Sequence, residues 1–240
     1  MKINLSASTN FEAGIAIPID KPYRWTSADV VRKIKNCLKN RGYKKIKIGH
    51  AGTLDPLATG ILVVCIGKAT KQAESIQAQR KEYIAEVCLG ATTPCCDMEK
   101  EIDATYPIAH ITEQMIREAL SSFVGEQLQV PPIFSAKLID GKRAYEYARK
   151  GEEVEMRKAL ITIYDIELLS VEMPKITVKI SCSKGTYIRA FARDLGVKLS
   201  SGAHLSGLVR SKNGDFTLQE CLSVEEVTNI ISEATHKDQL

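Results

Sequence analysis

The segment from Gly49 to Gly60 constrains the fold more than any other part of this sequence. It reads GHAGTLDPLATG, and three glycines and one proline within twelve residues are incompatible with a regular helix. The next six residues, ILVVCI, form a continuous apolar run of strand length. We therefore predict a loop of fixed shape over 49–60 that leads directly into a buried strand over 61–66.

The other segments alternate between strand-like and helix-like patterns, without a repeating unit of strand and crossover helix. Strands are expected where β-branched or alternating apolar residues occur, at 14–19, 81–89, 161–171 and 176–181. Helices are expected where apolar residues recur every three or four positions, at about 27–40, 69–79, 112–123 and 186–199 and after a capping box of Ser223 and Glu226. This order favours an α+β fold with a mixed, mostly antiparallel central sheet flanked by helices and loops.

Composition narrows the class of protein. With 240 residues, of which 44% are hydrophobic, the chain can bury the core of one large domain. No apolar run approaches the roughly 20 residues that cross a bilayer, so we expect a cytoplasmic protein without membrane contact. The seven cysteines are scattered without a C-x-x-C pair, which favours buried thiols, and the adjacent Cys95 and Cys96 have no assigned role. The sequence contains no P-loop, no G-x-G-x-x-G fingerprint and no H-E-x-x-H, so we expect neither a metal nor a cofactor.

Positive charge is concentrated near the start of the chain. The formal net charge is +4, but residues 20–50 hold ten lysines and arginines against two aspartates, a net charge of +8. The rest of the chain is therefore acidic, with a net charge of −4. Such a cluster is typical of a surface that binds a phosphate backbone, although a solvated helix face would have the same composition.

Asp55 is the strongest candidate for a catalytic group. It precedes Pro56, which restricts its backbone, and the predicted buried strand anchors the far end of its loop. A carboxylate held in this way has the fixed position that catalysis requires. The alternative is an aspartate that only stabilises a turn.

Further candidates lie in other segments. Arg189 falls in the first turn of a predicted helix, where the helix dipole disfavours a cation, so it needs a nearby carboxylate or phosphate. Arg193 follows four residues later on the same face. Tyr83 and Tyr187 lie beside basic residues, as a protein that stacks an unpaired base requires, although either could pack in the core. His50 adjoins the loop and could contact RNA.

Six segments in this order resemble the bacterial tRNA pseudouridine synthase B family, which modifies uridine 55 in the T arm of tRNA. The segments are IDKPYRWTSADVV, GHAGTLDPLATGILVVCIGKATK, KEY, VPPIFSAKLIDGKRAYEYARKG, CSKGTYIRAFARDLG and GAHLSGLVR. They extend from about residue 14 to 211, and the glycine-rich segment is long enough to be specific. The resemblance implies the pseudouridine synthase fold and an isomerase that flips uridine out of the RNA and needs no cofactor.

The resemblance also implies a role for each candidate residue. Asp55 would be the catalytic aspartate, Tyr83 would stack on the target uracil, and Arg189 would pair with Asp55. The remaining residues would bind RNA or line the pocket: His50, Lys21, Pro22, Tyr187 and Leu208. Whether Asp55 attacks the sugar, removes a ribose proton or stabilises positive charge stays open.

The same resemblance sets expectations for organisation and partners. We expect a single catalytic domain over 1–240, with its motifs in 14–211 and an RNA-gripping insertion at about 125–155. Residues 212–240 are acidic and should form one helix and a tail, without the C-terminal RNA-binding PUA domain that many members carry. The expected partner is the T arm of tRNA, bound by a monomer without a guide RNA or obligatory protein partner.

Two alternatives remain at this point. A guide-RNA-dependent pseudouridine synthase has a similar catalytic loop, although such proteins normally carry the additional RNA-binding domain. An RNA-binding module without catalysis is the second alternative, because Gly49–Gly52 fits the G-x-x-G clamp of KH domains. A strand after the loop argues against it, since the KH fold needs a helix there.

Overall fold

A computed structural model of the chain describes residues 5, 6, 8–135, 137–139, 141–144, 146, 147, 152 and 154–233. The chain divides into two compact units. Unit 1 comprises Met1–Tyr83 and Val209–Leu240, and unit 2 comprises Ile84–Leu208. Each unit is described by itself. Among the described residues, no helix is long and apolar enough to cross a membrane.

Unit 1 contains a small sheet, three α-helices and two short 3-10 helices. Its strands are β1 (Ile15–Lys21), β2 (Ile48–His50), β3 (Ala58–Ile66), the start of β4 (Lys81–Leu89), the end of β12 (Ala203–Asn213) and β13 (Phe216–Thr217). Its helices are α1 (Ser27–Asn40), α2 (Ala73–Ala78) and α5 (Val224–Glu233), and the 3-10 helices are Gly67–Gln72 and Leu218–Glu220. β3 pairs antiparallel with both β1 and β2, so it is central to this unit.

Local sequence signals determine where the helices of unit 1 begin. Thr26 caps α1, because its side chain accepts a hydrogen bond from the backbone N–H of Asp29 while the Asp29 carboxylate accepts from the backbone N–H of Thr26. Ser223 and Glu226 form the predicted capping box of α5. The apolar face of α1 is buried at Val30, Ile34 and Leu38, and α1 packs against α5.

Unit 2 contains the longer strands. They are the remainder of β4, β5 (Ala91–Thr92), β6 (Ala104–Thr105), β7 (Gly125–Gln129), β8 (Leu138–Ile139), β9 (Lys142–Arg143), β10 (Ala159–Glu172), β11 (Lys175–Cys182) and the start of β12. Two of its helices are α3 (Glu113–Ser121) and α4 (Ile188–Lys198). Within this unit the strand order is β4-β11-β10-β7, with β10 antiparallel to both β11 and β7.

The buried side chains of unit 2 follow the strand and helix periods. Alternate residues of β4 are buried, among them Ala85, Val87 and Leu89, as a half-buried strand requires. Helix α3 packs against β10 and α4, and the rings of Phe123 and Phe191 make an edge-to-face contact with 5.1 Å between centroids. The mixed helix and strand content and the mostly antiparallel sheet confirm the predicted α+β class.

The predicted bounds of the glycine-rich loop were wrong at both ends. Strand β3 begins at Ala58 and not at Ile61, and Gly49 and His50 belong to β2 instead of the loop. Gly60 can lie inside a strand because it has no side chain: a Cβ atom there would come within 2.4 Å of the Arg210 carbonyl oxygen on β12. The loop is therefore shorter than predicted, over residues 51–57. Strands β7 and β12 were not predicted as strands.

Candidate active site

Hydrogen bonds hold the backbone of the loop between β2 and β3 at five successive carbonyl groups. Arg210 donates hydrogen bonds to the carbonyl oxygens of Gly52 at 3.0 Å and Thr53 at 3.5 Å. The Ser27 hydroxyl donates to the carbonyl of Leu54 and accepts from the N–H of the same residue. The carbonyl of Asp55 accepts from the N–H of Ala58 at 3.1 Å.

The fifth carbonyl, that of Pro56, joins the loop to the turn after β1. It accepts hydrogen bonds from the Lys21 ammonium group at 3.2 Å and from the backbone N–H of Arg24 at 2.8 Å. Because each carbonyl of residues 52–56 has a donor, the loop has little freedom to change shape. The predicted loop of fixed shape is therefore confirmed for 51–57, and the half-buried side chain of Asp55 extends from a rigid backbone.

Lys21 is a fully buried cation beside this loop. Besides Pro56, its ammonium group donates to the carbonyl oxygens of Pro22 and Trp25. Burial lowers the pKa of Lys21 to about 8, although the nearby carboxylate of Asp55 acts in the opposite direction. The structure thus places Lys21 within electrostatic range of Asp55, with Pro22 next to it on the same turn.

Arg210 is another buried cation of unit 1, with 1% of its surface exposed. Its Nε also donates to the carbonyl of Ile61 at 2.7 Å, so it contacts both the loop and the strand that follows. Within the described part of the chain, Arg210 forms no ion pair, and carbonyl oxygens alone accept its hydrogen bonds. Arg210 therefore holds the loop through backbone contacts and not through an ion pair.

His50 and Tyr83 occupy strands of the same unit. Burial, with a further contribution from the positive charge of Arg210, lowers the pKa of His50, so the imidazole is neutral near pH 7. Tyr83 lies on β4 with 8% of its surface exposed, in line with the alternate buried residues of that strand. Unit 1 thus contains five of the predicted site residues: Lys21, Pro22, His50, Asp55 and Tyr83.

The other three predicted site residues belong to unit 2. Arg189 lies in the first turn of α4 and is 5% exposed. Its Nε is 3.4 Å from an oxygen of the Asp97 carboxylate, and it donates to the carbonyl oxygens of Cys95 and Phe134. The expectation that Arg189 needs an anion is confirmed, with Asp97 as the carboxylate. A pairing of Arg189 with Asp55 stays a prediction.

Tyr187 and Leu208 complete the predicted set. Tyr187 is the residue before α4, and its backbone exchanges two hydrogen bonds with the side-chain amide of Gln129 on β7. Leu208 lies on β12, and both side chains are partly exposed. The RNA-gripping insertion predicted at about 125–155 lies partly outside the described residues, so its form stays a prediction.

Three residues that shape the candidate site were not identified by the sequence analysis. Arg210, Ser27 and Asp97 each act on backbone or side chains far away along the chain, and no local pattern marks them. Arg210 was present in the GAHLSGLVR segment, but nothing in that segment indicates which carbonyls it binds. No group of three or more potential metal ligands occurs among the residues that the structure describes.

Comparison with known proteins identifies relatives that agree with one another. The family model described as "TruB family pseudouridylate synthase (N terminal domain)" matches residues 38–188. The chain is 57% identical over 217 residues to the tRNA pseudouridine synthase B of Phocaeicola vulgatus, a match that covers 90% of this chain and 92% of that protein. It is 52% identical over 225 residues to the protein of the same name from Parabacteroides distasonis, covering 93% and 96% respectively.

Solved structures share the fold. A chain in a crystal structure of a Cbf5-Nop10-Gar1 complex is 27% identical and superimposes with a TM-score of 0.70. The match covers 94% of this chain but only 58% of that one, so the present chain spans less than two thirds of the length of that protein.

Proposed function

This chain belongs to the TruB family of pseudouridylate synthases, and from that premise we propose that it converts uridine 55 in the T arm of tRNA to pseudouridine. Isomerisation of a tRNA uridine is the activity in the name that its relatives share. The position within tRNA and the residues that carry the reaction are our inference. Since tRNA is a cytoplasmic molecule, we place the protein there.

The observation that carries the proposal is the setting of Asp55. Its backbone is held on both sides by hydrogen bonds from Ser27, Lys21 and Arg210. A carboxylate on such a loop can be presented to a sugar with the small positional error that catalysis tolerates. A residue that merely stabilised a turn would not require two buried cations to fix its neighbours.

The proposed reaction begins with extrusion of the uridine from the RNA. Unstacking the base costs a few kcal/mol, which phosphate contacts and aromatic packing offset. We assign the stacking role to Tyr83, and we assign the pocket walls and RNA contacts to the other predicted residues of the two units: Lys21, Pro22, His50, Tyr187 and Leu208.

Asp55 then acts at the ribose. The bond from N1 of uracil to C1′ breaks, the base rotates while it stays in the pocket, and C5 bonds to C1′. C5 then loses its proton and N1 takes one up, so that the atoms balance. An ionised carboxylate near C1′ can attack the sugar, remove a ribose proton or stabilise developing positive charge. Arg189 is proposed to stabilise the ionised form. Substrate and product contain the same atoms, so the reaction consumes no co-substrate.

Conversion in the absence of any guide RNA tests this function. The purified protein is incubated with an unmodified tRNA transcript and with a transcript in which cytidine replaces uridine 55. Because pseudouridine has the same mass as uridine, it is mapped by mass spectrometry after chemical labelling that adds mass to pseudouridine alone. We expect one pseudouridine, at position 55 of the first transcript and none in the second. Conversion only after a guide RNA and partner proteins are added would assign the chain to guided synthases instead.

A further inference from the structure

A basic cleft lies on unit 1 beside the first turn of α1, apart from the loop that carries Asp55. It is wide open to solvent and has a volume of about 420 Å³. Its lining residues come from the turn after β1 and from the exposed face of α1: Arg24, Trp25, Asp29, Arg32, Lys33 and Asn36. This volume falls within the range of roughly 300–1,000 Å³ that small-molecule clefts occupy.

The positive charge of the cleft comes from its side chains and not from the N-terminal end of α1. Three cations line it against one carboxylate, that of Asp29, which forms an ion pair with Arg32 at 2.7 Å. The same carboxylate and Thr26 form the capping box of α1, so the backbone N–H groups of Thr26 and Asp29 already have acceptors. The other two cations of the cleft, Arg24 and Lys33, form no ion pair with the carboxylate in the cleft.

Arg24 adopts a backbone conformation that disfavours an arginine. Its φ is +65°, in the left-handed region that glycine occupies without strain. The turn requires this conformation, because the N–H of Arg24 donates to the carbonyl of Pro56. The side chain of Arg24 is thus held on a strained turn at the edge of the cleft.

Aromatic surface adjoins these cations. The guanidinium carbon of Arg24 is 5.7 Å from the ring centroid of Tyr23, which is 53% exposed. Trp25, the single tryptophan of the chain, forms a wall of the cleft. Cations beside exposed aromatic rings, with an amide from Asn36, are the groups that bind an unpaired nucleotide: rings stack on the base and cations bind the phosphate.

We infer that this cleft is a second RNA-binding subsite, which takes one unpaired nucleotide of the tRNA substrate with its base against Trp25 and its phosphate between Arg24 and Lys33. The inference rests on the proposed function, because the occupant is the same tRNA. The subsite is coupled to the active site, since Lys21 binds the carbonyls of both Trp25 and Pro56. A nucleotide in the cleft therefore supports the turn that holds the catalytic loop.

Affinity measurements with matched variants test the subsite. Dissociation constants for an unmodified tRNA transcript are compared among the wild type, Arg24→Gly, Lys33→Ala and Lys35→Ala, and the last removes an exposed lysine of the same helix that does not line the cleft. We expect Arg24→Gly and Lys33→Ala to weaken binding about fivefold each, and Lys35→Ala by less than about twofold. Arg24→Gly should melt at an unchanged or higher temperature, because glycine suits the positive φ.

Two results would overturn the inference. Equal losses for Lys33→Ala and Lys35→Ala would indicate a diffuse basic surface, and unchanged affinity in Arg24→Gly would remove Arg24 from RNA binding. Tryptophan fluorescence adds a direct probe: tRNA should quench Trp25 at the concentration that saturates binding, and bound tRNA without quenching would contradict stacking.

Failure of the inference can be distinguished from failure of the proposed function. Conversion of uridine 55 by the wild type is measured in the same preparations. If the wild type forms pseudouridine while the cleft variants bind tRNA normally, only the subsite is wrong. If the wild type forms none, the proposed function itself is wrong.

Discussion

Two buried arginines, one in each unit, fix irregular backbone in different ways. Arg189 in unit 2 binds the carbonyls of Cys95 and Phe134 and is neutralised by the Asp97 carboxylate. Arg210 in unit 1 binds three carbonyls of the Asp55 loop and its strand, without an ion pair in the described part of the chain.

This difference indicates what the positive charge of each arginine does. The charge of Arg189 is paired with the Asp97 carboxylate of its own unit, so its removal should destabilise the fold of unit 2 as well as remove the proposed partner of Asp55. Arg210 forms no ion pair in the described part of the chain, and its charge adds to burial, the main cause, in lowering the pKa of Lys21 and His50. Arg210 is therefore suited to hold the loop in shape and to supply positive potential where an anionic substrate arrives.

The largest expected effect comes from breaking the balanced pair. Arg189→Met leaves the Asp97 carboxylate buried without its cation, so the free energy of unfolding should fall by about 3 to 5 kcal/mol. Adding Asp97→Asn removes the stranded charge and should restore about 1 to 2 kcal/mol. Denaturant unfolding measures both. No recovery in the double variant would show that the charge of Arg189 is not balanced by Asp97.

A smaller effect is expected from a variant of Arg210 that keeps the positive charge but loses the hydrogen-bond geometry of the guanidinium group. Arg210→Lys retains the positive charge but cannot reach three carbonyls at once, so unfolding free energy should fall by about 2 kcal/mol. Because Asp55 is then less well positioned, kcat should fall by tenfold or more, on the order of 10² for a displacement of about 1 Å, with little change in KM for tRNA.

The matched control for this variant is Arg117→Lys, the same change at an exposed residue of α3 that pairs with Glu113. It should leave kcat and stability nearly unchanged. If Arg210→Lys loses stability but keeps full kcat, Arg210 supports the fold without setting the geometry of the loop.

The sequence predicted those features that depend on neighbouring residues. The capping box of Ser223 and Glu226 places the start of α5 correctly, and the alternation in KEYIAEVCL gives β4 its observed bounds, Lys81–Leu89. The predicted helix over 69–79 is in fact a 3-10 helix, Gly67–Gln72, followed by α2, Ala73–Ala78.

The sequence could not predict features that depend on distant residues. The contacts from Arg210 to Gly52 and from Ser27 to Leu54 join positions 158 and 27 residues apart. Arg189 was correctly expected to need an anion, but the sequence does not single out Asp97 from the other carboxylates. The apolar pattern of strand β12 is interrupted at three positions, His204, Ser206 and Gly207. The segment was therefore not identified as a strand.

The most direct test of the account replaces the carboxylate of Asp55 with an amide. Asp55→Asn keeps the size of the side chain, so the loop contacts of its neighbours should persist, and tRNA affinity measured by filter binding should stay within a few-fold of the wild type. Pseudouridine formation should fall by at least about 10³-fold. Normal turnover by Asp55→Asn would contradict the claim that this loop exists to present a catalytic carboxylate.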